Sequence, residues 1–234
     1  VKNIFYSIIN NGWADFTFYC PKEYDSCLKD VQKISNDDSL LTNINNFAHP
    51  LNSFANIETS YDDSGEVNVS LKKLYSDDDK MIINNKVNSI ITAEINNDMN
   101  DTQKIRTIHD FIINNTEYDV ERNEKGTSAY ASNTAYGALI DGKAICSGYA
   151  DAMAIFLNKF NIPNFKIASG THVWNAVKIN NEWLHLDLTW DDPVSNIGPI
   201  LDHKYFLINN EELSKADGNL TDHTFDKTIY QELK

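Results

Sequence analysis

The chain of 234 residues carries 34 acidic and 20 basic side chains, for a formal net charge of −14, and 41% of its residues are hydrophobic. This composition is typical of a packed globular protein and not of a disordered one. The acidic balance argues against partners such as nucleic acid or anionic lipid, because both need a cationic surface. No apolar run approaches the roughly 20 residues that cross a bilayer, so we expect no membrane-spanning segment in this chain.

The first 75 residues predict a small N-terminal α/β subdomain, to which no motif assigns a role. Residues 15–20 (DFTFYC) alternate as a strand does, and residues 25–34 predict a short helix. Residues 57–71 predict a β-hairpin, because two alternating runs flank the turn-forming sequence DDSG.

Residues 76–234 predict a larger domain, with the boundary near residues 72–78. The sequence SDDD at residues 76–79 predicts a helix start, since carboxylates are favoured in a first turn. Two further helices are predicted over residues 102–115 and from Cys146 towards Pro163, with a loop over residues 118–133 between them. Strand candidates follow at residues 165–168, 172–179, 182–189 and 205–208. Helices followed by an antiparallel meander indicate an α+β fold.

The three cysteines leave two alternatives open. Cys20 and Cys27 either form a disulfide, which favours an exported protein, or are two ordinary reduced cysteines. The start at Val1 lacks the features of a signal peptide, so any signal or anchor would lie upstream. On these grounds we expect an extracellular or cell-surface location.

Cys146 begins the third predicted helix, within the segment GKAICSGYA. A helix N-terminus presents unpaired N–H groups and the positive end of the dipole, and both favour a thiolate. The same N–H groups can hold an oxyanion. On this segment alone, a nucleophile and a buried structural cysteine both remain open.

The hairpin over residues 172–189 supplies two partners for this cysteine. With Asn180-Asn181 as a two-residue turn, counting outward predicts the register. The opposed pairs are Ile179–Glu182, Lys178–Trp183, Val177–Leu184, Ala176–His185, Trp174–Asp187 and His172–Thr189.

This register sorts the side chains onto two faces. The aliphatic face, with Asn175 as its polar exception, holds Val173, Val177, Ile179, Leu184, Leu186 and Leu188. The opposite face, interpreted as a pocket wall, holds His172, Trp174, Ala176, His185, Asp187 and Thr189. Asp187 lies diagonal to His172, within reach of a hydrogen bond. We therefore predict a relay in which His172 takes the proton of the Cys146 thiol and Asp187 orients the imidazole of His172. His185 is a second possible base that lies deeper along the hairpin.

Three segments resemble the motif blocks of the transglutaminase-like superfamily, in its bacterial type, and occur in the family's order. They are residues 144–152 (AICSGYADA), 172–177 (HVWNAV) and 183–190 (WLHLDLTW). The resemblance implies a papain-like core, in which the helix that bears the cysteine packs on an antiparallel sheet that bears the histidine and the aspartate. It implies Cys146 as nucleophile, His172 as general base and Asp187 as orienting group.

The resemblance also implies amide-bond chemistry through a thioester, as in a cysteine peptidase, an amidase or a transamidase, on protein or peptide substrates. Water as acceptor gives hydrolysis and an amine gives transamidation, and the sequence does not decide between them. No cofactor, metal or calcium requirement is expected. The alternative is a catalytically silent binding or scaffold module with the same fold.

Several further residues are weaker candidates. Tyr136, Asn133 and the backbone N–H of Cys146 could stabilise an oxyanion, and Tyr136 is favoured. Trp174 and Trp190 are expected either to line the substrate groove or to pack in the core. The pair Asp191-Asp192 could bind a cation but is interpreted as a solvated turn.

Overall fold

The computed structural model describes residues 1–195 and 200–233. It divides the chain into two compact units, Val1–Asp77 and Asp78–Lys234. The roles of the two parts remain predictions. Among the described residues, none of the helices combines the length and apolarity needed to cross a membrane.

The first unit combines three helices with a three-stranded antiparallel sheet of order β1-β3-β2. Its elements are α1 (Lys2–Asn10), β1 (Asp15–Tyr19), α2 (Cys27–Ser35), α3 (Asp38–Asn46), β2 (Phe54–Tyr61) and β3 (Glu66–Lys73). The sequence predicts β1, α2 and the hairpin of β2 and β3, but not α1 or α3. Both of these helices are only nine residues long and rich in Asn, which has a low helix propensity. The two helices are therefore stabilised by tertiary packing. Apolar side chains on one face of each helix lie in the core of this unit, among them Phe5, Ile8 and Ile44.

Cys20 and Cys27 form a disulfide in this unit, with their Cα atoms 5.7 Å apart. Of the two alternatives that the sequence leaves open, the structure shows the bonded one. Cys146 is the free cysteine.

The second unit places its helices first and its main sheet last. Its helices are α4 (Asp77–Glu94), α5 (Asp101–Asn115), α6 (Val120–Lys125), α7 (Cys146–Lys159) and α8 (Asn210–Asp217). Its strands are β4 (Glu117–Tyr118), β5 (Lys143–Ala144), β6 (Asn164–Ala168), β7 (Val173–Ile179), β8 (Glu182–Leu186) and β9 (Phe206–Ile208). The last four form an antiparallel sheet of order β6-β7-β8-β9, and α7 packs on β6 and β7. The predicted α+β class, with the cysteine-bearing helix on an antiparallel sheet, is confirmed.

The prediction of a plain loop over residues 118–133 is wrong, because this segment contains the short helix α6. The Asp119 side chain caps α6 by accepting a hydrogen bond from the Arg122 N–H, and Gly126 ends it in the left-handed conformation. None of the residues of α6 is buried. The helix therefore lacks the apolar periodicity from which a sequence reading could recognise it.

The register of the β7–β8 hairpin agrees with the prediction at every pair of the ladder, from Ile179–Glu182 to Asn175–Leu186. Asn180 and Asn181 form the turn with φ of 51° and 70°, which Asn tolerates better than most residues. The ladder stops before the outer predicted pairs, so His172 and Asp187 lie just beyond the ends of β7 and β8.

Both faces of this sheet are buried, so the interpretation of one face as a pocket wall is wrong for most of its length. On one side, Val177 and Leu186 have no exposed surface, and the Asn175 amide donates a hydrogen bond to the Ala150 carbonyl of α7. On the other side, the segment after α8 covers the hairpin, and Phe225 packs against Trp174. The end of the hairpin near residues 171–172 and 189–190 faces a cavity.

Candidate active site

Cys146 is the first residue of α7 and half-buried, with a free thiol. The backbone before it is fixed, because the Ile145 N–H donates a hydrogen bond of 2.8 Å to the Ser132 carbonyl. Gly148 lets the helix start approach the same segment closely: a Cβ atom there would lie 2.5 Å from the Ser132 carbonyl oxygen and 2.9 Å from that of Thr134. The first turn of α7 therefore packs against these backbone carbonyls at a distance that only a glycine permits.

The imidazole of His172 connects the thiol of Cys146 to the carboxylate of Asp187. His172 Nε2 lies 2.5 Å from Asp187 Oδ2, and the side chain of Cys146 hydrogen-bonds to the same imidazole. Because a carboxylate only accepts, Nε2 donates to Asp187, and Nδ1 is left for the sulfur. The structure thus brings together the three residues that the sequence selects.

The charged forms of His172 and Asp187 stabilise each other, although both side chains are buried. Burial lowers the pKa of His172, but the charge and hydrogen bond of Asp187, with a contribution from Cys146, raise it to about 10. Burial raises the pKa of Asp187, and the two imidazoles of His172 and His223 outweigh this effect and lower it well below the usual range. The arrangement therefore favours an imidazolium paired with a carboxylate.

A cavity of about 400 Å³ opens onto Cys146 and His172. Tyr118, Thr189 and Trp190 line it, so of the two alternatives for Trp190 the structure places this residue at the cavity, and its role towards a substrate stays a prediction. The Thr189 hydroxyl is buried and has no hydrogen-bond partner among the described residues. It is available to bond a group that enters the cavity.

Tyr118 is a site residue that the sequence reading missed. It reaches the cavity because β4 pairs in parallel with β5, with Tyr118 opposite Ala144, two residues before the cysteine. Burial, followed by the charges of Cys146, Asp119 and Asp187, raises the pKa of Tyr118 to about 12, so its hydroxyl stays protonated at neutral pH. A strand pair of two residues has no detectable periodicity, so no sequence signal marks this tyrosine.

Two other predicted groove residues lie elsewhere. Trp174 is 1% exposed and stacks on the His172 ring, with centroids 5.7 Å apart, so it packs in the core behind the histidine. Tyr136 precedes the helical turn Gly137–Asp141 and is not among the described residues that line the cavity. Of the other oxyanion candidates, Asn133 accepts a hydrogen bond of 3.1 Å from the Ser147 hydroxyl through its backbone carbonyl.

His185 does not serve as a base in this arrangement. Its Nδ1 accepts a hydrogen bond of 3.0 Å from the Trp174 indole, and its Nε2 lies 2.8 Å from Asn210 Oδ1. Burial lowers the pKa of His185 to about 4. This histidine is therefore neutral and already bonded on both sides.

The interpretation of Asp191-Asp192 as a solvated turn is wrong. Asp191 has no exposed surface and binds His109 Nε2 at 3.1 Å and the Tyr205 N–H at 2.8 Å. Asp192 accepts a hydrogen bond of 2.5 Å from the Tyr149 hydroxyl. Both carboxyls have structural partners within the domain.

His223, which the sequence reading also missed, touches the carboxylate from the other side. Its Nε2 lies 2.8 Å from Asp187 Oδ2, and its Nδ1 lies 2.7 Å from Asp217 Oδ1. It lies in the irregular segment after α8, where the sequence has no periodic pattern that would predict which residues face the sheet. Its place in the site is a result of tertiary packing alone.

Two clusters in the described part of the chain have the side-chain types of a metal site. They are His109, Asp110 and His203, and His172, Asp187 and His223. In both clusters, imidazole nitrogens are already hydrogen-bonded to carboxylate oxygens. A cation would have to displace these bonds, and we assign none.

The fold and the site define an α+β domain that brings a helix-borne cysteine to a histidine–aspartate pair. Residues 90–188 match the family model of the transglutaminase-like superfamily. No curated protein matches the sequence significantly.

Two solved structures are similar to this chain. A transglutaminase (TGase) crystal structure is 14% identical over 58% of this chain and 45% of its own, with a TM-score of 0.43. A candidate cysteine protease from Cytophaga hutchinsonii is 16% identical over 62% of this chain and 65% of its own, with a TM-score of 0.36. This chain thus spans less than half of the first structure and under two thirds of the second.

Proposed function

We propose that this domain is a cysteine-dependent enzyme that cleaves or transfers amide bonds of protein or peptide substrates. The observation that carries the proposal is a free cysteine at a helix start, hydrogen-bonded to a histidine that a buried aspartate holds. All three side chains belong to one unit, and the cysteine and the histidine face a cavity large enough for a side chain and its flanking backbone.

The chemistry follows from this geometry. His172 takes the proton of Cys146, and the sulfur attacks the carbonyl carbon of the substrate to form a tetrahedral oxyanion. The carbon–nitrogen bond then breaks, and the amine leaves with the proton that His172 returns. This step leaves a thioester on Cys146. Water or a second amine, deprotonated by His172, attacks the thioester and regenerates the thiol.

Tyr118 supplies the oxyanion donor in this proposal, in place of Tyr136. It lines the cavity beside Cys146, and its raised pKa keeps the hydroxyl proton available to donate at neutral pH. A hydrogen bond from a fixed donor to the oxyanion acts only when negative charge has developed, and it therefore accelerates the acylation step.

We also propose that the protein works outside the cytoplasm, at the cell surface or in the extracellular space. The support for this location is the Cys20–Cys27 disulfide, since such bonds persist in oxidising compartments. Recovery of the disulfide in protein isolated from the native cell fraction tests this location.

The reactivity of Cys146 tests the enzymatic proposal most directly. We expect iodoacetamide to alkylate Cys146 near neutral pH faster than it alkylates a free cysteine in a peptide, since His172 stabilises the thiolate. His172→Ala should slow the reaction at least tenfold, and peptide mapping identifies the alkylated residue. His203→Ala, away from the cavity, is the control and should leave the rate unchanged.

Intact-mass spectrometry with activated peptide amides then separates the possible outcomes. A covalent acyl adduct that Cys146→Ala abolishes supports the enzyme, and added amines show whether transamidation competes with hydrolysis. Slow alkylation of the wild type, equal to that of a free thiol, contradicts the proposal. Together with the absence of an acyl adduct, that result would indicate a silent binding module.

A further inference from the structure

We propose that His223 and Asp217 extend the triad as positioning residues, with His223 acting as a buried cation on the far side of Asp187. In this arrangement, His223 fixes the Asp187 carboxylate and limits how strongly that carboxylate holds the proton of His172. The inference rests on the proposed function, because it concerns the tuning of the same catalytic base.

The carboxylate of Asp187 is fixed from four directions. Its Oδ1 accepts the backbone N–H groups of Thr189 at 2.8 Å and Trp190 at 3.2 Å. Its Oδ2 lies 2.5 Å from Nε2 of His172 and 2.8 Å from Nε2 of His223. One oxygen therefore serves two imidazoles, and the interaction with His172 is shared.

The hydrogen-bond partners of His223, two carboxylates, favour a charged ring. Its Nε2 lies 2.8 Å from Asp187 Oδ2, and its Nδ1 lies 2.7 Å from Asp217 Oδ1. Ionised carboxylates only accept hydrogen bonds, so both ring nitrogens must carry protons. The side chain of His223 has no exposed surface, and an imidazolium between two anions satisfies the rule that buried charges are paired.

The surroundings of this ring also favour a cation. Three aromatic rings pack around it, with centroid distances of 4.9 Å for Trp174, 5.6 Å for Trp190 and 5.1 Å for Tyr205. Electron-rich aromatic faces attract a positive charge, most strongly where water is absent. The titratable groups that face His223 are Asp187, Asp217, His172, His185 and Tyr205.

The charge on His223 has a direct consequence for His172. The two ring centroids are 5.3 Å apart. A like charge at this distance opposes protonation of His172, and the shared carboxylate oxygen weakens its bond to Asp187. Since the pKa of His172 is already raised to about 10, a further rise would hinder return of the proton to the leaving amine. His223 therefore keeps the base able to release its proton.

Nitrogen-15 NMR of the full chain tests the charge without any substitution. The His223 signals are assigned through their proximity to the Tyr205 ring, whose centroid lies 5.1 Å from that of His223. We expect His223 to have two protonated ring nitrogens at pH 7.5. The neutral ring of His185 serves as the internal reference. A neutral His223 ring at this pH would overturn the proposal, whatever the activity of the protein.

The pH dependence of Cys146 alkylation tests the effect on His172. Iodoacetate is an anion that an imidazolium attracts, whereas iodoacetamide is neutral, so the ratio of the two rates reports the charge of His172. In the wild type, this ratio should fall with a midpoint near pH 10, where His172 loses its proton. His223→Gln keeps a donor towards Asp187 but removes the charge, and should move the midpoint roughly one unit higher.

Control variants separate tuning from a purely structural role. His203→Gln makes the same change beside the carboxyl of Asp110 and should leave the midpoint in place. If His223→Gln fails to fold because Asp217 loses its partner, the double variant His223→Gln/Asp217→Asn removes both charges and decides the matter. Equal midpoints in the wild type and the folded variant refute the tuning. A wild type that shows no rapid alkylation refutes the proposed function instead.

Discussion

Asp187 and Asp192 are two buried carboxyls of the same turn, and their pKa values shift in opposite directions. Asp187 faces two imidazoles and two backbone N–H groups, which lower its pKa against the effect of burial. Asp192 has a neutral tyrosine as its partner, and burial, opposed by the Tyr149 hydrogen bond and assisted by the charge of Glu117, raises its pKa to about 6. The partners of each carboxyl, and not burial as such, decide its charge.

The raised pKa of Asp192 makes the stability of the domain depend on pH. The unfolded chain loses this proton near pH 4, whereas the folded domain holds it to about pH 6, so stability falls between these values and the loss persists above them. We expect Asp192→Asn to gain about 1–2 kcal/mol at pH 7.5 and nothing at pH 4. Urea unfolding at both pH values measures this difference. An equal effect at both values would show that the charge of Asp192 does not cause it.

Tyr118→Phe tests the oxyanion donor without changing the shape of the cavity. We expect acyl-enzyme formation to slow by about 10²-fold, because one donor to the oxyanion is lost. Alkylation by iodoacetamide should change less than threefold, since that reaction forms no oxyanion. Rapid-quench mass spectrometry follows acylation, and the exposed Tyr130→Phe is the matched control. Equal losses in both reactions would indicate that Tyr118 supports the thiol itself.

At the scale of the element, the sequence predicts those features that follow from a regular alternation of side chains along a strand. The alternation along β7 and β8, with the Asn180-Asn181 turn, determines the register, and the register brings Asp187 to His172. The contribution of β4 could not be predicted in this way, because two residues carry no period. Nor could that of His223, because it reaches Asp187 from irregular backbone.

The start of α7 depends on Gly148, and a methyl group there should disturb the nucleophile. In Gly148→Ala, the added Cβ would lie 2.5 Å from the Ser132 carbonyl oxygen, so the helix start must shift. We expect a loss of roughly 1–3 kcal/mol in the free energy of unfolding and slower alkylation of Cys146. Gly170→Ala is the control, since a Cβ there meets no described atom within 4 Å. If the two variants behave alike, the close packing at Gly148 has no such role.

At the scale of the whole molecule, the chain combines a disulfide-containing unit with a unit that carries the candidate site. The disulfide closes a short loop, and chain-entropy reasoning gives it about 2 kcal/mol of stabilisation. We expect Cys20→Ala/Cys27→Ala to increase hydrogen exchange in residues 1–77, as measured by mass spectrometry. Alkylation of Cys146 should be unaffected, and a large change in its rate would show that the site depends on the disulfide.

The pairing of Cys20 with Cys27 also leaves Cys146 without a resolving thiol in this chain. A sulfenic acid formed on Cys146 by peroxide has no second free cysteine with which to condense. It can then react with a small external thiol or with a backbone nitrogen, or proceed to the sulfinic acid, which ordinary reductants do not reverse. An enzyme with this arrangement is expected to lose activity permanently under peroxide unless a low-molecular-weight thiol protects it.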